Sequence, residues 1–238
     1  MSLLDAVIAT GALPPDDVPQ AQKKRYSEVL SNHLAQEVAE GLRSVGFTNA
    51  KPTRAGVGEK EFQGGLGPKK VDVSYSDERH GLLLAVSIKS INFVPFGKNL
   101  KNRFGDLLTE AITLHLRFPY SIVCMLFAFP VTADRDVTKG RTISTFQRAT
   151  KLFATVSGRK DYTDPGEKFE NVTMLLFQPV KEKGPKPWIR LFDAQSGKET
   201  SEKEYFALLR QIYNNRNPHA VIGEEELGAG ENSGDSDE

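Results

Sequence analysis

An aspartate and a lysine stand on neighbouring apolar strands within residues 71–93, VDVSYSDERHGLLLAVSIKSINF. Val71, Val73 and Tyr75 alternate with Asp72 and Ser74, the period of two that marks a strand. The charged stretch SDERHG over 76–81 forms a turn. Leu82, Leu83, Leu84, Ala85, Val86 and Ile88 then make a second strand, broken only near its end by Ser87 and Lys89. A charged side chain in such a run is costly unless water, a charged partner or a substrate meets it. Asp72 and Lys89 are therefore expected to point into one site. The plainer alternative is a simple ion pair between them.

The flanking elements must hold that pair in place. Val29, Leu30, Leu34, Val38, Leu42 and Val45 recur at three- and four-residue steps, so residues 21–45 read as a helix that stops at Gly46. Glycines 56, 58, 64, 65 and 67 and lysines 51, 60, 69 and 70 make the next segment a mobile basic loop. After the two strands, Leu100, Phe104, Leu107, Leu108, Ala111, Leu114 and Leu116 give a long amphipathic helix ended by Pro119. Residues 121–129 are continuously apolar, as in a central strand covered on both faces. A helix over 141–155, strands over 172–177 and 189–192, and a helix capped by Ser201 and Glu204 complete the order. This layout is α/β, with a central mixed β-sheet flanked by helices. Residues 1–20 are expected to be an N-terminal arm that packs loosely or serves an interface, 21–220 one α/β domain, and 221–238 an acidic disordered tail.

The 238 residues are 39% hydrophobic, enough for a core, and their formal net charge is zero. The zero is a sum of unequal parts. Seven acids and no lysine or arginine lie in 224–238; taking them from 31 acids leaves 24 against 31 bases, so residues 1–223 carry +7. A basic body with an acidic tail suits a nucleic-acid partner, though neutral-substrate proteins can be as basic. Cys124 is the only cysteine, which rules out an intrachain disulfide and points to a reducing, cytoplasmic setting. It lies in an apolar strand and reads as an inert buried thiol. No run is long enough to cross a bilayer, so no membrane partner is expected. His33, His80, His115 and His219 are scattered without zinc-ligand spacing. GxxxxGK[ST] and GxSxG are absent, and the glycines of 56–67 lack a dinucleotide-fold context, so no nucleotide cofactor is expected.

A helix, a strand with Asp72, a strand ending Ser87-Ile88-Lys89, then a helix and a buried strand resembles the core of the PD-(D/E)xK nucleases. The resemblance covers 21–129 and implies a restriction-endonuclease-like fold. It implies catalysis by Asp72 and Lys89, and a Mg²⁺ (or Mn²⁺) ion held by Asp72 and the backbone carbonyl of Ile88. Hard oxygen ligands suit such ions. Ser87 stands where the family usually carries an acid, so the missing carboxylate must come from elsewhere. Glu110 on the following helix is the first candidate, Glu37 on the preceding helix the second, and Glu61 in the glycine-rich loop the third. The implied activity is metal-dependent endodeoxyribonuclease cleavage of double-stranded DNA by a homodimer, in restriction or phage defence. Lys60, Lys69, Lys70, Lys98, Lys101, Asn102 and Arg103 are the expected DNA contacts. Ser87 also leaves open a non-catalytic DNA-binding or protein-interaction module on the same fold.

Overall fold

The structure, a computed structural model, describes residues 2–55, 60–137, 140–181 and 183–223. Its elements are α1 (Leu3–Thr10), α2 (Gln20–Ser44), β1 (Lys60–Gly64), β2 (Gly67–Val71), β3 (Val73–Asp77), β4 (Gly81–Ser90) and α3 (Phe96–Arg117). They continue through β5 (Ile122–Pro130), α4 (Thr132–Arg135), α5 (Thr145–Ala154), β6 (Asn171–Gln178), β7 (Trp188–Asp193), β8 (Glu199–Thr200) and α6 (Glu202–Arg216). A six-stranded mixed sheet runs β3-β4-β5-β6-β7-β8, and β1-β2 form a separate hairpin. Strands β4, β5 and β6 are parallel neighbours, while the remaining pairs of the large sheet are antiparallel.

Parallel neighbours need a crossover, and α3 and α5 supply the two here. Both pack on one face, where Leu107, Ala111, Phe146 and Phe153 meet Val123, Met125, Phe127 and Met174. On the other face α1, α2 and α6 bring Leu3, Leu30, Val38 and Tyr205 against Val86, Cys124, Leu126 and Leu175. Strand β5 is buried along its whole length, as its apolar run requires. Burial pushes the Cys124 thiol well above its usual range, in keeping with an inert residue.

Three expectations need correction. The N-terminal segment is not loose: a Ser2–Asp5 capping box starts α1, and Leu3 and Val7 are fully buried in the core. The glycine-rich segment is not a loop throughout, because 60–71 form the β1–β2 hairpin lying on α3. A Cβ on Gly64 would meet the Thr113 side chain at 2.5 Å and one on Gly65 would meet Leu116 at 2.4 Å. These glycines permit close approach to a helix. Asp72, expected within a strand, sits at the junction between β2 and β3. Gly56, Gly58 and the acidic tail from 224 onward lie outside the described residues.

Candidate active site

Strand β4 alternates its side chains between the two layers. Leu84, Val86 and Ile88 join the α2 side, whereas Ala85, and by the same alternation Ser87 and Lys89, turn toward α3. At the C-terminal end of β4 the antiparallel partner has already ended, since Val73 pairs with Val86. Asp72 takes over at that edge: its Oδ2 accepts the Ile88 N–H at 2.7 Å and the Lys89 ammonium at 2.9 Å. A strand residue points its N–H and C=O to the same edge, so the Ile88 carbonyl opens beside Asp72. The Ser31 hydroxyl donates to it at a long 3.4 Å.

Glu110 completes the cluster from behind. It belongs to the buried stripe of α3 with Leu107, Ala111 and Leu114, and it is only 3% exposed. Its Oε2 lies 2.9 Å from the Lys69 ammonium, delivered by the hairpin, and 3.8 Å from that of Lys89. Its Oε1 and the Ser87 hydroxyl are buried without a hydrogen-bond partner. Burial lowers the affinity of Lys89 for its proton, but the Asp72 and Glu110 carboxylates outweigh it and leave the net direction upward. Two carboxylates and two ammonium groups thus balance in charge. Among the described residues no group of three or more His, Cys, Asp and Glu side chains is placed to hold a metal ion.

In front of the cluster opens a cleft of 780 Å³. Asp72, Ile88, Lys89 and the segment to Pro95 form its floor, Lys23, Lys24, Ser27, Glu28 and Ser31 of α2 one wall, and Asn99, Asn102, Arg103 and Asp106 of α3 the other. Asn92 fastens floor to wall, donating to the hydroxyls of Ser27 and Ser90, each at 2.9 Å.

The structure thus joins Asp72, Lys89, Ile88 and Glu110, with Ser87 on the same face of β4. It does not bring in Glu37, which pairs with Arg54 at 2.9 Å. Nine residues separate Glu37 from Glu28, about 900° of helix and roughly 13 Å of rise, so the two project from opposite sides. Glu61 is exposed and paired across the hairpin with Lys70, on the face opposite Phe62 and Lys69. Of the expected DNA contacts, Asn102 and Arg103 line the cleft. Lys98, Lys101 and Lys70 are exposed outside its lining, and Lys60 donates to the Ser76 hydroxyl at 2.8 Å. Lys69 turns inward to Glu110, with its side chain half-buried. Sequence reasoning missed Lys23, Lys24, Glu28 and Ser31. Their stripe flanks the apolar face of α2, but only the fold shows which end of that helix adjoins β4.

His115, within α3, is held on one side only, its Nδ1 donating to the Gly166 carbonyl at 2.8 Å while its buried Nε2 lies 3.3 Å from Glu170 Oε2 without a hydrogen bond. No helix among the described residues is long and apolar enough to cross a membrane. Comparison with protein-family models, with curated proteins and with solved structures finds no match for this chain.

Proposed function

We propose that this chain hydrolyses phosphodiester bonds of double-stranded DNA with Mg²⁺ or Mn²⁺ on a restriction-endonuclease-like core. Its setting is restriction or other phage defence in the cytoplasm, and it works as a homodimer. The observation that carries the reading is Glu110, a buried carboxylate brought beside the lysine that already holds Asp72. Stability alone favours an apolar residue at such a position, because buried ion pairs seldom outperform hydrophobic packing. Glu110 supplies the acid that Ser87 lacks.

The donor set fits a hard cation. Glu110 Oε1 is an orphaned buried acceptor, and the Ile88 carbonyl has only one long contact. Asp72, Glu110 and that carbonyl would hold the ion, which when bound supplies an acidified water and a counter-charge for the phosphate. Lys89 faces the cleft and, with its upward-shifted pKa, stays protonated at neutral pH. It acts as a fixed hydrogen-bond donor toward the attacking water or the phosphate oxygens, not as a base. Lys23, Lys24 and Arg103 on the walls supply phosphate contacts without base readout.

Plasmid DNA incubated with Mg²⁺ or Mn²⁺ tests the reading. Cleavage is expected for the native chain, with a loss of at least about 100-fold in Glu110→Gln and Asp72→Ala. Equal cutting by all three would remove these residues from the site. A second reading, non-catalytic DNA binding, draws support from the charge balance, since Lys69 and Lys89 already neutralise both carboxylates. It expects cleft-dependent binding of DNA, modified DNA included, with no metal-dependent cleavage.

A further inference from the structure

We infer that a cavity at the other end of the sheet is a second binding site, for a small organic anion whose carboxylate or phosphate is carried on an apolar body. The cavity has a volume of 480 Å³ and lies between α6 and the start of β6, among Arg159, Asn171, Gln195, Leu208, Ile212 and Arg216. That size is ordinary for a small-molecule pocket.

Its polar end has more cationic donors than acceptors. The Glu170 carboxylate is fully buried and completely used. Oε1 lies 2.7 Å from Arg159 and 3.3 Å from Arg216, and Oε2 accepts the Val123 N–H at 2.8 Å with His115 Nε2 at 3.3 Å. One carboxylate therefore faces two guanidinium groups. Arg159 spends its Nη1 on Glu170 and its Nη2 on the Tyr162 carbonyl at 2.9 Å. Its Nε is buried without a hydrogen-bond partner, and so is Nη1 of Arg216, whose side chain is only 8% exposed. A desolvated guanidinium N–H left unpaired is expensive, and an oxyanion is the partner whose geometry matches it.

The acids nearby do not fill this role. Asp193 also lines the cavity, but its Oδ1 takes the Ser196 N–H and hydroxyl at 2.7 and 2.6 Å, and its Oδ2 takes the Asn171 amide at 3.2 Å. Asp161 is exposed and Asp164 half-buried, and both bind backbone N–H groups of their own loop. Leu208 and Ile212 of α6 form an apolar wall for the body of the ligand.

Titration calorimetry on the full chain with phenyl phosphate, benzoate, inorganic phosphate and neutral benzyl alcohol tests the site. Saturable binding of phenyl phosphate or benzoate is expected, about tenfold or more tighter than inorganic phosphate or benzyl alcohol. The tighter of the two acids identifies the head group, and either result sustains the proposal. Ile212→Trp, which narrows the apolar part of the cavity and leaves both arginines in the sequence, and Arg216→Lys, which keeps the charge but loses the fork, should each weaken binding by about tenfold. Lys89→Ala should leave it unchanged. No saturable binding, equal binding of benzyl alcohol, or loss in Lys89→Ala but not in Ile212→Trp would overturn the proposal. Because DNA cleavage is not read, failure here leaves the nuclease reading standing, and the reverse also holds.

Discussion

Two clusters of buried charge lie at opposite ends of the parallel strands, and they are left with opposite kinds of unused atom. At the end of β4, Asp72 and Glu110 face Lys89 and Lys69, and the spare atom of the charged groups is an acceptor, Glu110 Oε1, with the Ser87 hydroxyl also unpaired. At the start of β5 and β6, Glu170 is surrounded by Arg159, Arg216, His115 and the Val123 N–H, and the spare guanidinium atoms are donors, Arg216 Nη1 and Arg159 Nε. Ion pairing alone therefore says little about function. What distinguishes the two ends is which group is left with unmet hydrogen-bonding capacity: a carboxylate oxygen invites a cation, a guanidinium N–H an anion. Solvent access differs too. Lys69 and Lys89 are 33% and 24% exposed and can relax toward water, whereas the Glu170 partners cannot.

The largest stability effect should separate the ends. Glu170→Gln strands two buried guanidinium groups and should cost about 3–5 kcal/mol in denaturant unfolding. Glu110→Gln leaves lysines that can turn to solvent and should cost roughly 1–2 kcal/mol. Similar losses for the two would erase the distinction. On activity the order reverses: Lys89→Ala should lower metal-dependent DNA cleavage by about 10²–10³-fold while costing only about 1–2 kcal/mol in unfolding.

The ends should also differ in the pH of their failure. Burial raises the Glu170 pKa, but His115, the Val123 N–H and Arg159 outweigh it, so the folded value is lowered. Its stabilising contribution is then complete above the ordinary carboxylate value and lost as pH falls through the lower folded one. For Lys89 the folded value is raised, so its contribution is complete below the ordinary lysine value and lost as pH rises through the higher one. Unfolding free energies measured across pH should show Glu170→Gln flattening the acid limb and Lys89→Met the alkaline limb. The smallest effect is expected on α2. Glu28→Gln should change cleavage or DNA affinity by about 3–10-fold through the cleft wall, and Glu37→Gln should change neither. A response from Glu37 alone would reverse the assignment of that helix face.

Much of this architecture was legible because burial imposes a period. The stripes of α2, α3 and α6 and the unbroken run of β5 could be read directly. Glu110 was reached only as the first of three candidate acids, from its place on the helix after β4, and its burial was not legible. Helix α1 was not, since eight residues hold a helix here mainly through tertiary burial of Leu3 and Val7. The hairpin was also missed, because its glycines serve contact with α3, and a sequence does not distinguish that use from slack. The inward turn of Lys69 follows from the hairpin and was hidden with it. Glu28 required knowing that the N-terminal half of α2 abuts β4, which Ser31 and Asn92 reveal only in three dimensions.

Helix α3 is at once the crossover from β4 to β5 and the carrier of Glu110, so the chain length between Lys89 and Glu110 acts as a gauge. One residue added before Leu107 would rotate everything after it by about 100° and advance it about 1.5 Å, turning the carboxylate out of the interior. Insertions and deletions should therefore be excluded from 90–109 even where every individual side chain is replaceable.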